Sequence, residues 1–491
     1  MEYKNMKRFS KLILLTASLA LCLVLALGVR SVYAYFTTYA ASEGGETVLL
    51  RHREQLTEDV DGLSKAITIT NNEEDTQPVF IRARAYVGSE FEQYFTVSGA
   101  ADWRDGQDGW WYYDEVLNPG DKVYVQKMHK AVALFVVGST DIADGMNILG
   151  AHIDSPRLDV KQNPLYEKDF VVYLNTHYYG GIKKYQWVTM PLSIHGVVCK
   201  KDGTTVQVSV GEKADDPVFV ISDILPHLAQ KQMKESAADF IPGENLDLIV
   251  GSCVPPKGED DGKEKEAKDS AKKNILALLE KTYGIKEDDF GSAELEIVPA
   301  GASRDCGFDS SLILAYGQDD RSCAYTSARA LFESSSGKRT NVCLCVDKEE
   351  IGSVGATGMA SHFFENALSE VIARLPQGYS ELTLRRALAN SNMLSSDVNA
   401  AYDPMNADLF DRQNASFLGG GIVFNKYTGS RGKSGASDAN PEFIARLRAL
   451  LDDNKVRYQM AELGRVDQGG GGTIAYLAAK YGMNVLDAGV A

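Results

Sequence analysis

The chain has 491 residues, 44% of them hydrophobic, and a formal net charge of −16. That length predicts two or three domains, each able to bury a core. The acidic balance excludes a nucleic-acid binder acting through a basic surface and favours solubility.

The first segment joins Lys7 and Arg8 to an apolar run, residues 12–28, and then to Ser31-Val-Tyr-Ala34. A basic start, an apolar run and small residues give a secretory signal peptide cleaved after Ala34, or a short membrane anchor. Residues 1–34 are read as one or the other, and 12–28 as the segment through which the chain would touch a membrane. Residues 65–72 and 79–87 then alternate apolar with polar side chains, and Trp110-Trp-Tyr-Tyr113 is aromatic and strand-like. Turn-forming clusters at 71–78 and 105–109 separate them. Residues 41–120 therefore predict a small β-sandwich.

A second apolar run, Asn147-Ile-Leu-Gly-Ala-His152-Ile-Asp154, ends in His-x-Asp. On a strand, residues i and i+2 face the same way. Asp154 can then orient His152 through the ring nitrogen that a metal leaves free. Residues 161–299 are rich in strand-like runs (173–179, 192–199 and 205–210) parted by glycine turns, and 257–269 is a mixed-charge run that reads as a solvated loop. Beyond residue 300, strands alternate with helical stretches such as 441–451 and 472–480, which predicts a mostly parallel sheet covered by helices.

Three acidic ends fall in that last region. Residues 312–321 finish in Asp319-Asp320 and lead into a helix. Asn341-Val-Cys-Leu-Cys-Val-Asp-Lys-Glu349-Glu350 is a buried strand that stops at two carboxylates. Ser391-Asn-Met-Leu-Ser-Ser-Asp397 places a further acid among small polar residues. Ligands in α/β sheets collect at the carboxyl ends of strands. One imidazole among several carboxylates suits zinc, manganese or cobalt, whereas calcium takes oxygen only. The glycines 469–472 read as a tight turn beside a substrate, since no Gly-Lys-Ser/Thr follows to make a phosphate loop. Six of the seven cysteines lie at or beyond Cys199, a set that fits a reducing compartment, whereas the N-terminus points to secretion or membrane anchoring.

From about Val123 to the last residue the chain resembles the aspartyl-aminopeptidase-like family of dinuclear zinc exopeptidases, in its bacterial branch. The resemblance is carried by His152-Ile-Asp-Ser-Pro-Arg, Tyr178-Tyr-Gly-Gly-Ile-Lys-Lys-Tyr-Gln-Trp187, Tyr316-Gly-Gln-Asp-Asp-Arg321, Asp347-Lys-Glu-Glu-Ile-Gly-Ser353, Lys426-Tyr-Thr-Gly-Ser-Arg-Gly-Lys433 and Val466-Asp-Gln-Gly-Gly-Gly-Gly-Thr473. It implies a catalytic α/β domain of the zinc exopeptidase type, split as 123–160 and 300–491 around an inserted β-rich assembly domain, 161–299. It implies two divalent metal ions, zinc first, with manganese or cobalt as alternatives. Asp319 would bridge them, His152 and Asp397 would complete one ligand set, and Glu350 would bind the other ion. Glu349 would be the general base, Asp154 would support His152, and Asp320 would support the Asp319 loop. Lys426 would contact the peptide substrate. His227 would reach a neighbouring subunit's site in a homo-oligomer. The preferred N-terminal residue stays open.

One departure bears on activity. The family carries a last histidine beyond an Asp-x-Gly segment near the terminal strand. Here the chain reads Asn484-Val-Leu-Asp-Ala-Gly-Val-Ala491, and its last histidine is His362. The expectation is a C-terminally truncated chain whose second metal lacks its imidazole and whose hydrolysis is impaired.

The N-terminal part resembles camelysin-like or biofilm-matrix secreted proteins of Gram-positive bacteria, through Ala34-Tyr-Phe-Thr, the Ile-Thr-Ile-Thr-Asn strand and Trp-Tyr-Tyr followed by Leu117-Asn-Pro-Gly-Asp121. The family's own first helix and strands are not found before Val123, so a junction near 119–125 is expected. A secreted matrix or interaction protein with a non-catalytic C-terminal part is the alternative function.

Overall fold

In the computed structural model of the chain, residues 117–253, 269–335, 337–431 and 434–491 are described in full, and six strands before residue 114 by their backbone alone. The expected signal peptide or anchor lies outside the described residues, as does nearly all of the 257–269 charge run. Among the described residues, no helix is long and apolar enough to cross a membrane.

The chain divides into two compact units, residues 1–79 and 80–491. The first holds an antiparallel sheet of β1 (Val48–Leu49), β2 (Glu54–Asp61) and β3 (Ser64–Asn71), in that order. The second unit opens with β4 (Arg82–Ala83), β5 (Trp103–Asp105) and β6 (Trp111–Tyr113), antiparallel in the order β4-β6-β5. Residues 41–120 thus carry two three-stranded sheets that belong to different units. Within the expected strand 79–87, only Arg82–Ala83 is described as strand.

The chain then lays down β7 (Lys122–Lys127), β8 (Ala131–Val136) and β9 (Asn147–His152). A second group follows: β10 (Arg157–Lys168), β11 (Val171–Tyr179), β12 (Leu192–Cys199), β13 (Thr205–Val210), β14 (Leu248–Gly251), helix α1 (Ser270–Tyr283) and β15 (Ala293–Pro299). A short hairpin, β16 (Arg304–Cys306) and β17 (Leu312–Leu314), leads to α2 (Gln318–Glu333), β18 (Asn341–Val346), α3 (Phe363–Ala373) and α4 (Glu381–Ala389). The last elements are β19 (Asn392–Ser395), β20 (Ile422–Asn425), α5 (Pro441–Asp453), β21 (Tyr458–Ala461), α6 (Ala475–Ala479) and β22 (Asn484–Gly489).

Eight of these strands form one sheet in the order β21-β20-β22-β19-β9-β18-β8-β7. Its centre, β22-β19-β9-β18, is parallel. The expectation of a mostly parallel sheet needs correcting at the margins. β7 and β8 are joined by three residues, too few for a parallel crossover, so they pair antiparallel, and β8 is also antiparallel to β18. β20 and β22 are likewise antiparallel. β18 is apolar on both faces, as a central strand must be. Val342, Leu344 and Val346 pack with Phe364, Leu368 and Ile372 of α3 in the main core. The alternate residues, Cys343 and Cys345, pack on the other face with Cys323, Ala324 and Leu331 of α2.

Six further strands make an antiparallel sheet, β13-β12-β15-β10-β11-β14. Leu158, Leu192, Leu246 and Ile297 are fully buried in its own core, which α1 helps to cover. Its strands run from Arg157 to Pro299.

Candidate metal centre

The parallel register of the central strands brings their carboxyl ends together. Val346 of β18 lies opposite His152 of β9, and Ser395 of β19 opposite Gly150. The residues just beyond these ends face a common space, where α/β sheets gather ligands.

After β18 the chain reverses through a 3-10 turn, Glu349–Ile351, flanked by Lys348 (φ +70°) and Gly352 (φ +94°). The turn is pinned from β9. The Asp154 carboxylate accepts the backbone N–H of Glu349 at 3.0 Å and of Glu350 at 3.1 Å. It also accepts the Tyr179 hydroxyl at 2.7 Å. His152 is buried, with Nδ1 3.0 Å from the Asp154 carbonyl and 3.6 Å from its carboxylate. An N–H at Nδ1 leaves Nε2 free to hold a cation, and Nε2 lies 3.5 Å from Asp397 Oδ1. Asp154 therefore supports His152 chiefly through its main chain, and spends its carboxylate on the glutamate turn.

At the start of α2, Asp319 is exposed and Asp320 buried. His152, Asp319 and Asp320 offer ligand atoms that all lie within 4.8 Å of one another. Asp320 is 1% exposed. One of its oxygens accepts the Ser155 hydroxyl, and Oδ1 has no partner among the described residues. Glu350 packs against Gly180, where an added Cβ would sit 2.9 Å from Glu350 Oε2.

These groups perturb each other strongly. Burial first, then Asp397, Asp154 and Asp319 push Glu349 up to about 7, against the pull of His152. Burial, Asp320 and Glu349 push Glu350 up to about 8. Burial and Asp397 raise Asp319 to about 6. Burial opposes a charge on His152, yet the neighbouring carboxylates of Asp154, Asp397 and Glu349 lift it to about 12. Burial also works against Asp154, but His152, Tyr179 and the Glu350 N–H hold it below its ordinary value. Several mutually repelling carboxylates, one imidazole and an unpartnered buried oxygen fit a divalent cation, which would relieve all three.

Lys426 and His227 stand apart. Lys426 follows β20 directly, and its Nζ donates to Tyr427 Oη at 2.8 Å and lies 3.5 Å from Asp438. His227 is exposed in the segment between β13 and β14. Among the described residues, no hydrogen bond or ion pair ties either residue to the acid cluster. Sequence reasoning did not single out Tyr179, which closes the Asp154 carboxylate. It also missed Arg157, whose guanidinium stacks 3.7 Å over the Tyr179 ring and bonds Asp159 and Glu296 at 2.8 and 3.1 Å. Both lie in the motifs 152–157 and 178–187, but no spacing rule marks them.

Comparisons with known proteins converge on one family. The family model described as Aminopeptidase I zinc metalloprotease (M18) matches residues 103–491. A relative from Clostridium acetobutylicum, named probable M18 family aminopeptidase 1, is 58% identical over 377 residues, 77% of this chain and 79% of that protein. The crystal structure of aminopeptidase I from Clostridium acetobutylicum is similar at TM-score 0.70 and 55% identity, covering 76% of this chain and 79% of that one. An M18 aminopeptidase from Thermotoga maritima is similar at TM-score 0.72 and 46% identity, covering 77% and 81%.

Proposed function

Since the chain belongs to the M18 family of zinc metallo-aminopeptidases, we propose that it removes N-terminal residues from peptides with water activated between two divalent cations. The observation that carries this reading is the meeting of His152, Asp319 and Asp320 within ligand range, beside the Glu349–Glu350 turn. His152 and Asp397 would hold one cation, Glu350 the other, and Asp319 both. The unpartnered oxygen of Asp320 is a further donor that the motifs alone had assigned to support. Such ions, held by these residues, would lower the pKa of a bound water and polarise the scissile carbonyl.

Glu349 takes the proton from that water and returns it to the leaving amine. Its raised affinity for a proton in this acidic surround suits that exchange. Asp154 fixes the direction of His152 and holds the Glu349–Glu350 turn by its two N–H groups. Lys426 contacts the peptide, and His227 reaches a neighbouring subunit's site in a homo-oligomer assembled through the β-rich insertion. The two-part catalytic domain, 123–160 with 300–491, carries the metal ligands; residues 1–102 fall outside the family match. Residues 1–34 are assigned as signal peptide or membrane anchor.

In a polypeptide of these 491 residues the second cation has carboxylates but no second imidazole. The last histidine, His362, pairs with Glu365 at 3.1 Å and is 82% exposed in its side chain. The second ion is therefore held more weakly than the first, and hydrolysis is impaired at low metal. Zinc titration of chelator-treated protein tests this, with manganese and cobalt in parallel. Two steps of unequal affinity, with aminoacyl-reporter hydrolysis following the weaker, are expected. Two tight sites with full activity would refute the impairment.

A further inference from the structure

In the antiparallel sheet, the register of β10 and β11 sets Arg157 opposite Tyr179. Tyr179 is buried, and the Arg157 guanidinium lies 3.7 Å from its ring centroid. That guanidinium is fixed within the same sheet, by Asp159 of β10 at 2.8 Å and Glu296 of β15 at 3.1 Å. Lys348, from the loop after β18, brings Nζ to 5.6 Å from the same ring. Cations within about 6 Å of a ring centroid are attracted to its face, so the ring is gripped from both sheets. Its hydroxyl donates to Asp154 Oδ2 at 2.7 Å, the oxygen that also accepts the Glu350 N–H at 3.1 Å. The next residue, Gly180, has φ +77° and passes so close to Glu350 that an added Cβ would stand 2.9 Å from Oε2 and 3.1 Å from the Glu350 Cβ.

A carboxylate turns easily about its last side-chain bond. The glutamate turn, bounded by the left-handed residues Lys348 and Gly352, hangs on the Asp154 carboxylate by two N–H groups and would move with it. A third donor removes that freedom, and a hydroxyl on a carboxylate makes one of the stronger hydrogen bonds. We propose that Tyr179 is a positioning residue for the metal centre. Clamped by Arg157, it carries the rigidity of the antiparallel sheet through Asp154 to the Glu349–Glu350 turn. The six-stranded sheet then does more than bury its own core: the ends of β10 and β11 set the direction of a ligand and a proton acceptor that lie beyond β18. Tyr179 acts through Asp154 rather than on a cation or the peptide, and the inference rests on the metal-centre reading given above.

The test titrates the full chain with zinc by calorimetry after a chelator has removed metal, as wild type, Tyr179→Phe, Asp154→Asn and the double variant. Tyr179→Phe keeps the ring on Arg157, so metal-free melting should stay near that of wild type. Zinc should bind it about 10-fold more weakly, the lower end of the cost of altering groups behind a metal ligand. The visible absorption of the cobalt-loaded chain, which reports the geometry around the ion, should shift with it. Added to Asp154→Asn, the same change should cost nothing further, because its route is already broken. Unchanged zinc affinity in Tyr179→Phe, whatever its melting, would overturn the role, as would a full further loss in the double variant. Should Tyr179→Phe fail to fold, Arg157→Lys decides, since it keeps the charge but loses the planar stack: weaker zinc binding supports the clamp, and unchanged binding overturns it. A wild-type chain that takes up no zinc would refute the metal centre itself, whereas Tyr179→Phe matching a zinc-binding wild type refutes this role alone.

Discussion

Asp154 bears on both halves of the proposed chemistry, because one carboxylate receives both N–H groups of the glutamate turn while its carbonyl orients His152. Asp154→Asn would point amide hydrogens at donors. Metal affinity should fall roughly 10–100-fold, as when the groups behind a metal ligand are altered; isothermal titration with zinc measures it. Glu349→Gln removes the proton acceptor but not a proposed ligand. Its kcat should fall about 10²–10⁴-fold with zinc content unchanged by elemental analysis; a parallel loss of zinc would make Glu349 a ligand instead. Much of this was legible in the sequence. The i, i+2 rule paired His152 with Asp154, and the end of an apolar strand exposed Glu349 and Glu350. Tyr179 and Ser155 were not legible as partners. Tyr179 meets Asp154 across 25 positions of sequence and Ser155 meets Asp320 across 165, contacts that only the assembled sheets create.

At the scale of elements, the site depends on β19 and β22 staying in register. A Cβ on Gly489 would stand 1.8 Å from the Asp397 carbonyl oxygen, a contact that only backbone movement relieves. Gly489→Ala should therefore destabilise by about 1–3 kcal/mol, the usual cost of overpacking, and should weaken zinc binding by displacing Asp397. Calorimetry with and without zinc separates the two effects. Unchanged melting would show that β22 gives way freely. Strand identity was legible from period and from β-branched runs, and the double-faced apolar run of β18 announced a central strand. Strand direction at the sheet's margins was not. It follows from short connections such as residues 128–130 and from how β22 returns beside β20, neither of which leaves a periodic signal.

For the molecule as a whole, the acid cluster makes stability depend on pH and metal together. Glu349 and Glu350 have folded values near 7 and 8, above the ordinary 4.5. Below 4.5 they are neutral in folded and unfolded chains alike. As pH rises from there to about 8, the unfolded chain releases its protons first and the metal-free fold loses stability. Melting of the chelated protein should thus be lower at about pH 8 than at about pH 5, and zinc should stabilise it more at the higher pH. The opposite order would mean that these carboxylates do not repel in the fold. A change of pattern near residues 160 and 300 was legible in the sequence. The separation of residues 1–79 from the rest was not, because strand periodicity runs on across it.

Metal-dependent hydrolysis is the most direct measure of the account. The chelated 491-residue protein would be offered an aminoacyl reporter and its N-acetylated counterpart, before and after zinc is restored. The account predicts no hydrolysis in chelator, recovery with zinc, and no cleavage of the blocked substrate. Hydrolysis that persists without zinc, or none with zinc bound at both sites, would contradict it.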